Sequence, residues 1–287
     1  MEKLIIDCDN TFGIEGCDID DGLAIIYALA SNKYDIIGIT TTFGNSTIDT
    51  VYPNTLKFMK QIGRPEIPVL KGASSNAFDN QAAKFLADVA EQYKGQISVL
   101  ATGSLTNLYH AYRIDGAFYE NLKELSLMGG ITEPLIINGK VLNELNFSCD
   151  YEASFNVLTY GKNIKIATGN NCLAALFTKA SFDKLNSEGN AFLSWLYKEG
   201  QYWFKREKEV FKNEGIYKWD VYAAAVLINP DLFHDRLIAV APDRDSLKTG
   251  FLLGEGEKRI VNLPEIKDPA VYIQHVYEAY KAFSFIE

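Results

Sequence analysis

The stretch IIDCDNTFGIEGCDIDDGLAIIYALA, residues 5–30, joins a short apolar run to a helical apolar pattern through a dense set of carboxylates. Leu4 to Ile6 lead in as a strand. From Asp20 onward, Leu23, Ile26, Tyr27 and Ala30 recur on one face of a helix. Between the two elements Asp7, Asp9, Asp18, Asp20 and Asp21 fall within fifteen positions. Like charges packed this closely raise one another's pKa and cost stability. A divalent cation removes that cost, and ligation by oxygen alone points to Ca²⁺ or Mg²⁺ rather than a soft metal. First-turn acids at 20 and 21 gain about 0.3–1 kcal/mol from the helix dipole. That gain does not reach Asp7 and Asp9, which belong to the strand end. The cluster therefore proposes a hard-metal site at the end of a buried strand.

Working outward, short apolar runs alternate with helical patterns. Strands are expected at Lys3–Asp7, Tyr34–Thr42, Ile97–Thr102, Leu122–Met128 and Ile164–Ala167. Helices are expected at Asp20–Ala30, Asp49–Ile62, Gln81–Tyr93, Leu105–Arg113, Tyr151–Tyr160, 189–209 and 219–228, with a last one from about Asp268. One hairpin turns at Asn138-Gly139, and a late one through Gly254-Glu255-Gly256. This alternation argues for an α/β fold, a mainly parallel central sheet with helices on both faces. Ligands of such sheets bind beyond the C-terminal ends of the strands. The polar, glycine-containing segments at 7–10, 42–45, 102–104 and 129–130 fall at such ends.

The chain has 287 residues, 47% of them hydrophobic, enough for a sizeable core. No linker, repeat or low-complexity stretch divides it, so one domain over 1–287 is expected. Net charge is −9 and no Lys/Arg cluster is present, which argues against long nucleic acid as a ligand. The nearest approach, Lys205-Arg206-Glu207-Lys208, reads as a solvated helix face. There is no signal-peptide pattern and no apolar stretch long enough to span a membrane. The four cysteines, Cys8, Cys17, Cys149 and Cys172, lack paired ligand spacing and read as reduced thiols of a cytoplasmic protein.

Several polar residues also have plain structural readings. Ser104 suits a helix N-cap, Asn138 a hairpin turn and Asp150 a cap. Asp220 is a first-turn acid. His110, His234 and His275 are scattered and read as structural or surface residues. Tyr197, Tyr202, Trp203, Phe204 and Phe211 fit either core or a lid over a flat ring.

Together, the Asp-rich opening, GITTTFGNS at 38–46, ATGSLTNL at 101–108, LMGG at 127–130, ELNFSCDYEA at 144–153 and WDVYAAAVLINP at 219–230 carry a likeness spanning most of the chain. In order and spacing they resemble the inosine–uridine-type nucleoside hydrolases. The resemblance implies a Ca²⁺-dependent N-ribohydrolase that releases base and ribose from a nucleoside, in nucleoside salvage. It implies Asp9 as general base and metal ligand. Asp21, Asp220 and the backbone carbonyl of Thr102 complete the metal sphere. Asp20, Asn45 and Asn146 surround the ribose, Asn138 and Glu144 lie near its 5′-hydroxyl, and Asp7 plays a supporting role. A homodimer or homotetramer is implied as well.

Three departures stand out. Residues 10–18 are an insertion in the Asp-rich motif, leaving Asp18 as a spare carboxylate. Trp219 stands where the family often has histidine, which removes an acid for the departing base and offers a surface to stack on it. The segment 72–97 is short and lacks the usual His-Gly flap. Two other functions fit parts of the pattern. One is a haloacid-dehalogenase-type phosphatase with Asp7 as nucleophile, Asp9 as acid/base and Mg²⁺; the other is a non-catalytic Ca²⁺-dependent nucleoside or ribose binder.

Overall fold

The computed structural model describes residues 1–74, 80–188 and 190–285. Its centre is the first strand, β1 (Glu2–Cys8), whose side chains alternate between two cores. Leu4, Ile6 and Cys8 face one hydrophobic cluster and Ile5 the other. Such two-sided burial is what a nearly continuous apolar run produces in a parallel sheet. The chain proceeds through α1 (Asp20–Ser31), β2 (Tyr34–Thr41), α2 (Ile48–Gln61), β3 (Val69–Lys71) and α3 (Gln81–Gln92). It returns to the centre through β4 (Ile97–Ala101), α4 (Thr106–Ile114) and β5 (Leu122–Met128).

From one edge, the eight-stranded sheet runs Leu237–Val240, Arg259–Asn262, Ile164–Ala167, β5, β4, β1, β2, β3. Every pair is parallel except the outermost, Leu237–Val240 with Arg259–Asn262. One face is covered by α1, α2 and the helices Ala191–Phe211, Trp219–Ile228 and Pro269–Ala282. The other is covered by α3, α4 and Tyr151–Tyr160. The expected α/β class and parallel sheet are thus observed. β1 pairs with β2 on one side and β4 on the other, so the chain order reverses between β1 and β4. The crevice beyond the strand ends at that reversal is where such folds take their ligands.

Some local expectations need correction. The late strands do pair antiparallel, but residues 241–258 join them through a short helix, Arg244–Leu247, and not a tight turn at 254–256. Ser104 does not cap α4; its hydroxyl lies 2.5 Å from Thr42 Oγ1. The long helix starts at Ala191, and residue 189, where it was expected to begin, lies outside the described residues, as do residues 75–79 of the short 72–97 segment. The turn at Asn138-Gly139 is as expected, with φ of 48° and 78°. Among the described residues no helix is long and apolar enough to cross a membrane.

Candidate active site

β1 and β4 end side by side, with Asp7 opposite Ala101. The Thr102 amide donates to the Asp7 carbonyl at 2.8 Å, fixing the two strand ends together. The Asp7 carboxylate is sealed beneath them, accepting from Thr40 Oγ1 at 2.6 Å and Asn107 Nδ2 at 2.8 Å. Burial pushes its pKa up to about 7. Fully buried, it is out of reach of a substrate phosphate.

Asp9, also buried, accepts from the Asn45 amide at 2.5 Å and from Asn45 Nδ2 at 3.3 Å. Only glycine fits at 44, because a Cβ there would lie 2.1 Å from Asp9 Oδ2. Asn45 Nδ2 is also 3.3 Å from Asp21 Oδ2, so one amide bridges Asp9 and Asp21. Burial raises the Asp9 pKa to about 6, against the pull of the Asn45 N–H.

α1 packs against the helix Trp219–Ile228, and both begin at the crevice. Their first turns bring Asp20, Asp21 and Asp220 together, each buried, with one oxygen from each within 4.8 Å of the others. The Asp220 amide donates to Asp20 Oδ2 at 3.2 Å, and Thr102 Oγ1 to Asp21 Oδ1 at 2.8 Å. Burial, then neighbouring carboxylates, push Asp21 and Asp220 well above the usual carboxylate range. Burial also raises Asp20, against hydrogen bonds from Asp18 and Asp220. Two helix N-termini offset part of this repulsion, and a hard cation offsets the rest; the all-oxygen donor set fits one. The tight trio contains Asp20, expected at the ribose, and not Asp9, expected on the metal; the Asp9 carboxyl lies directly against that of Asp21, and Asn45 Nδ2 donates to both.

A cavity of about 320 Å³ opens above this floor. Asp18, Asp20, Asp220, Asn45, Thr102 and Asn146 line its polar end. Asn146 Nδ2 donates to the Thr102 carbonyl at 2.9 Å, so that carbonyl has one lone pair left to offer. Glu144 lines the side wall and accepts from the amides of Gly130, Phe147 and Ser148 at 3.2, 2.8 and 3.0 Å. Leu135, Ile137 and Leu142 form an apolar wall, and Trp203, Phe211 and Trp219 an aromatic one.

Asn138, expected near the 5′-hydroxyl, does not reach the cavity. It is exposed at its turn, and its amide donates to the Phe211 carbonyl and to Asn213 Oδ1, both at 3.0 Å. Asn143, beside Glu144, lines the wall instead.

The insertion turns out to be ordered. Phe12 is buried, 5.3 Å from the Phe58 ring and 5.5 Å from that of Trp195. Gly22 lets α1 pass over it, since a Cβ there would come within 2.6 Å of Phe12. Asp18 now has a local role: its Oδ1 accepts from the amides of Ile19 at 2.6 Å and Asp20 at 3.3 Å, just ahead of α1.

Arg206 and Glu207 overturn the solvated-face reading, because both line the cavity. Trp203, Glu207 and Phe211 share the buried face of the helix Ala191–Phe211 at four-residue spacing. That spacing was the signal available in the sequence: an acid at a core position of an apolar stripe. The flanking Lys205 and Lys208 are exposed, as expected. Of the aromatic group, Trp203 and Phe211 line the cavity, while Phe204 stacks on Phe182 in the core.

No histidine lines the cavity. His110 is buried against Asn80, His275 lies edge-on to Tyr27, and His234 is exposed. Lys218 turns away from the cavity, with Nζ over the rings of Phe177, Tyr277 and Tyr280 at 4.0, 4.7 and 4.5 Å. Tyr222 is also turned away, its hydroxyl donating to the Pro264 carbonyl at 2.8 Å.

Residues 4–260 match the family described as inosine-uridine preferring nucleoside hydrolase. The chain is 29% identical to uridine nucleosidase 1 of Arabidopsis thaliana, over 90% of this chain and 83% of that protein. It is 27% identical to probable uridine nucleosidase 1 of Oryza sativa subsp. japonica, over 90% of this chain and 86% of that protein. In fold it is similar to the solved plant nucleoside hydrolase PpNRh1, with a TM-score of 0.84 at 23% identity, over 97% of this chain and 98% of that one. With the Asp-rich crevice at the sheet reversal and a family match over nearly the whole sequence, the chain belongs to the inosine-uridine preferring nucleoside hydrolases, enzymes that hydrolyse N-glycosyl bonds.

Proposed function

We propose that this protein is a Ca²⁺-dependent ribonucleoside N-ribohydrolase. The observation that carries the reading is the meeting of Asp20, Asp21 and Asp220, with Asp20 and Asp220 lining a cavity that also has apolar and aromatic walls. A nucleoside has the same polarity, with hydroxyls at one end and a flat ring at the other. It is uncharged, which suits a site without a basic patch.

Asp21, Asp220 and the Thr102 carbonyl would hold the cation, with Asp9 and Asp20 close enough to join them. When bound, Ca²⁺ supplies charge compensation and Lewis-acid polarisation of oxygen ligands. Asp9 takes the proton of the attacking water. Its pKa, raised by burial to about 6, keeps it ionised near neutral pH yet more basic than a surface carboxylate. The water adds to C1′ as the glycosidic bond breaks through an oxocarbenium-like transition state. Asp20, Asn45 and Asn146 orient the ribose from the polar floor, and Glu144 from the side wall. Trp219 lies against the base. The proposal includes a cytoplasmic location and a homodimer or homotetramer, both supported by the resemblance alone.

Free ribose is measured after incubation with Ca²⁺ and a nucleoside panel that includes uridine and inosine, beside wells with p-nitrophenyl phosphate and Mg²⁺. Ribose release is expected, and Asp9→Asn should abolish it without lowering the melting temperature. Phosphate release without ribose sinks the proposal, and nucleoside binding without either product replaces it with the non-catalytic binder. Near-normal turnover by Asp9→Asn removes Asp9 as base.

A further inference from the structure

Expelling a nucleobase as an anion is slow near neutral pH, and a positioned acid speeds such a step by about 10²–10⁴-fold. No histidine reaches this cavity, so the candidates are the proton-bearing groups that line it. Arg206 cannot release a proton. Burial pushes the Cys17 thiol up, so it holds its proton. Both oxygens of Glu144 are taken up by the backbone N–H groups of Gly130, Phe147 and Ser148, which tie it to the side wall, although burial raises its pKa. The Asp18 carboxyl is held by the Asp20 carboxyl and by the amides of Ile19 and Asp20, so its proton is shared within the polar end.

Glu207 remains, and we propose that it is the catalytic acid, giving its proton to the departing base. It rises from the buried face of the helix Ala191–Phe211, one turn from Trp203 and one from Phe211, both walls of the aromatic end. It therefore stands beside the aromatic residues, on the side where the base is proposed to lie, and faces Asp18 at the edge of the polar end. Arg206 stacks on Trp203 with its guanidinium carbon 4.3 Å from the ring, and its Nη1 is 3.3 Å from Glu207 Oε1. The guanidinium thus sits where it can stabilise the carboxylate left after transfer.

The groups facing Glu207 are Asp18 from the opening loop, Asn213 beyond its own helix, Tyr217 from the short strand Gly215–Tyr217, and Arg206. Burial, then Asp18, raise its pKa to about 7, against Arg206 and Asn213. Both protonated and ionised forms are populated near neutral pH, as a turnover acid requires.

The step balances. The C1′–N bond breaks with its electron pair going to the base, and the Glu207 proton passes to a base heteroatom. The water oxygen bonds to C1′ and its proton goes to Asp9. Glu207 is then reprotonated from solvent at the cavity mouth, and Asp9 loses its proton to solvent.

The inference rests on the ribohydrolase reading, and the experiment separates the two. Wild type and Glu207→Gln are assayed with uridine, inosine and p-nitrophenyl β-D-ribofuranoside, whose phenolate leaves without a proton. The variant should lose about 10²-fold in kcat on the nucleosides, with KM little changed, and keep its rate on the nitrophenyl riboside. The fall in wild-type nucleoside kcat above about pH 7 should vanish in the variant. Equal loss on all three substrates, or undiminished nucleoside turnover, overturns Glu207 as acid while leaving the ribohydrolase reading intact. A wild type that releases ribose from no nucleoside overturns both.

Discussion

Two sides of one cavity carry charge in opposite ways. On the polar floor, Asp20, Asp21 and Asp220 crowd together at two helix N-termini, and no cationic side chain meets them among the described residues. On the aromatic wall, Glu207 sits in an apolar stripe, with a guanidinium from the adjacent residue beside it and Asp18 facing it. The floor is incomplete without an external cation; the wall supplies its own counter-charge. Buried acids around one cavity can thus be built for different tasks, and the environment of each, more than residue type, decides which.

Removing one floor carboxylate breaks the comparison most strongly. Asp220→Asn should cut ribose release by about 10³-fold or more, because a cation ligand is lost. Stability should move the other way. In EDTA the variant is expected to melt above wild type, since one repelling charge is gone. With Ca²⁺ the wild type should gain melting temperature through linkage and the variant little. A variant that melts lower than wild type in EDTA would show that the floor carries no repulsion to relieve.

The loop that joins the two sides can be tested separately. Phe12 anchors the 10–18 insertion between α2 and the long helix, and Tyr202 of that helix donates to the Cys17 carbonyl at 3.2 Å. Phe12→Ala should cost about 3–5 kcal/mol. For a chain of this size that is a fall in melting temperature of about 6–10 °C. A fall of a degree or less would mean that the insertion does not tie floor to wall.

The floor was legible in the sequence because its carboxylates announce themselves locally. Asp7, Asp9, Asp20 and Asp21 lie at the junction of a readable strand and a readable helix, and Asp220 opens an apolar helix. The sheet was legible for the same reason: β1, β4 and β5 are short apolar runs with polar ends. The wall was not. Arg206 and Glu207 lie among Lys205 and Lys208, and a run of alternating charge hides one inward position unless the helical face is traced through Trp203 and Phe211. Asn138 failed for the opposite reason: its spacing to Glu144 was right, but the turn it forms aims its amide at Phe211 and Asn213. Asp18 could be placed only from the fold of the insertion, which sets its carboxylate on the amides of Ile19 and Asp20. These residues depend on long-range packing, which local patterns do not encode.

The smallest effect sharpens the comparison most finely, because it isolates the wall. Glu207 sits at about 7 in the fold, above the ordinary carboxylate value it regains on unfolding. Folding therefore favours its protonated form, and ionising it costs stability. The contribution is intact at pH below the ordinary carboxylate range, declines as pH rises toward about 7, and is flat beyond. Allowing for solvent at the cavity mouth, the loss amounts to about 1–2 kcal/mol. Glu207→Gln carries no such loss, so its stability relative to wild type should grow by that amount between about pH 5 and pH 8. Urea unfolding of both proteins in saturating Ca²⁺ measures the difference, and the floor carboxylates, common to both, cancel. A difference that stays constant with pH would mean that Glu207 is ionised and solvated throughout. The wall would then be one more charged surface, and the contrast with the floor would be lost.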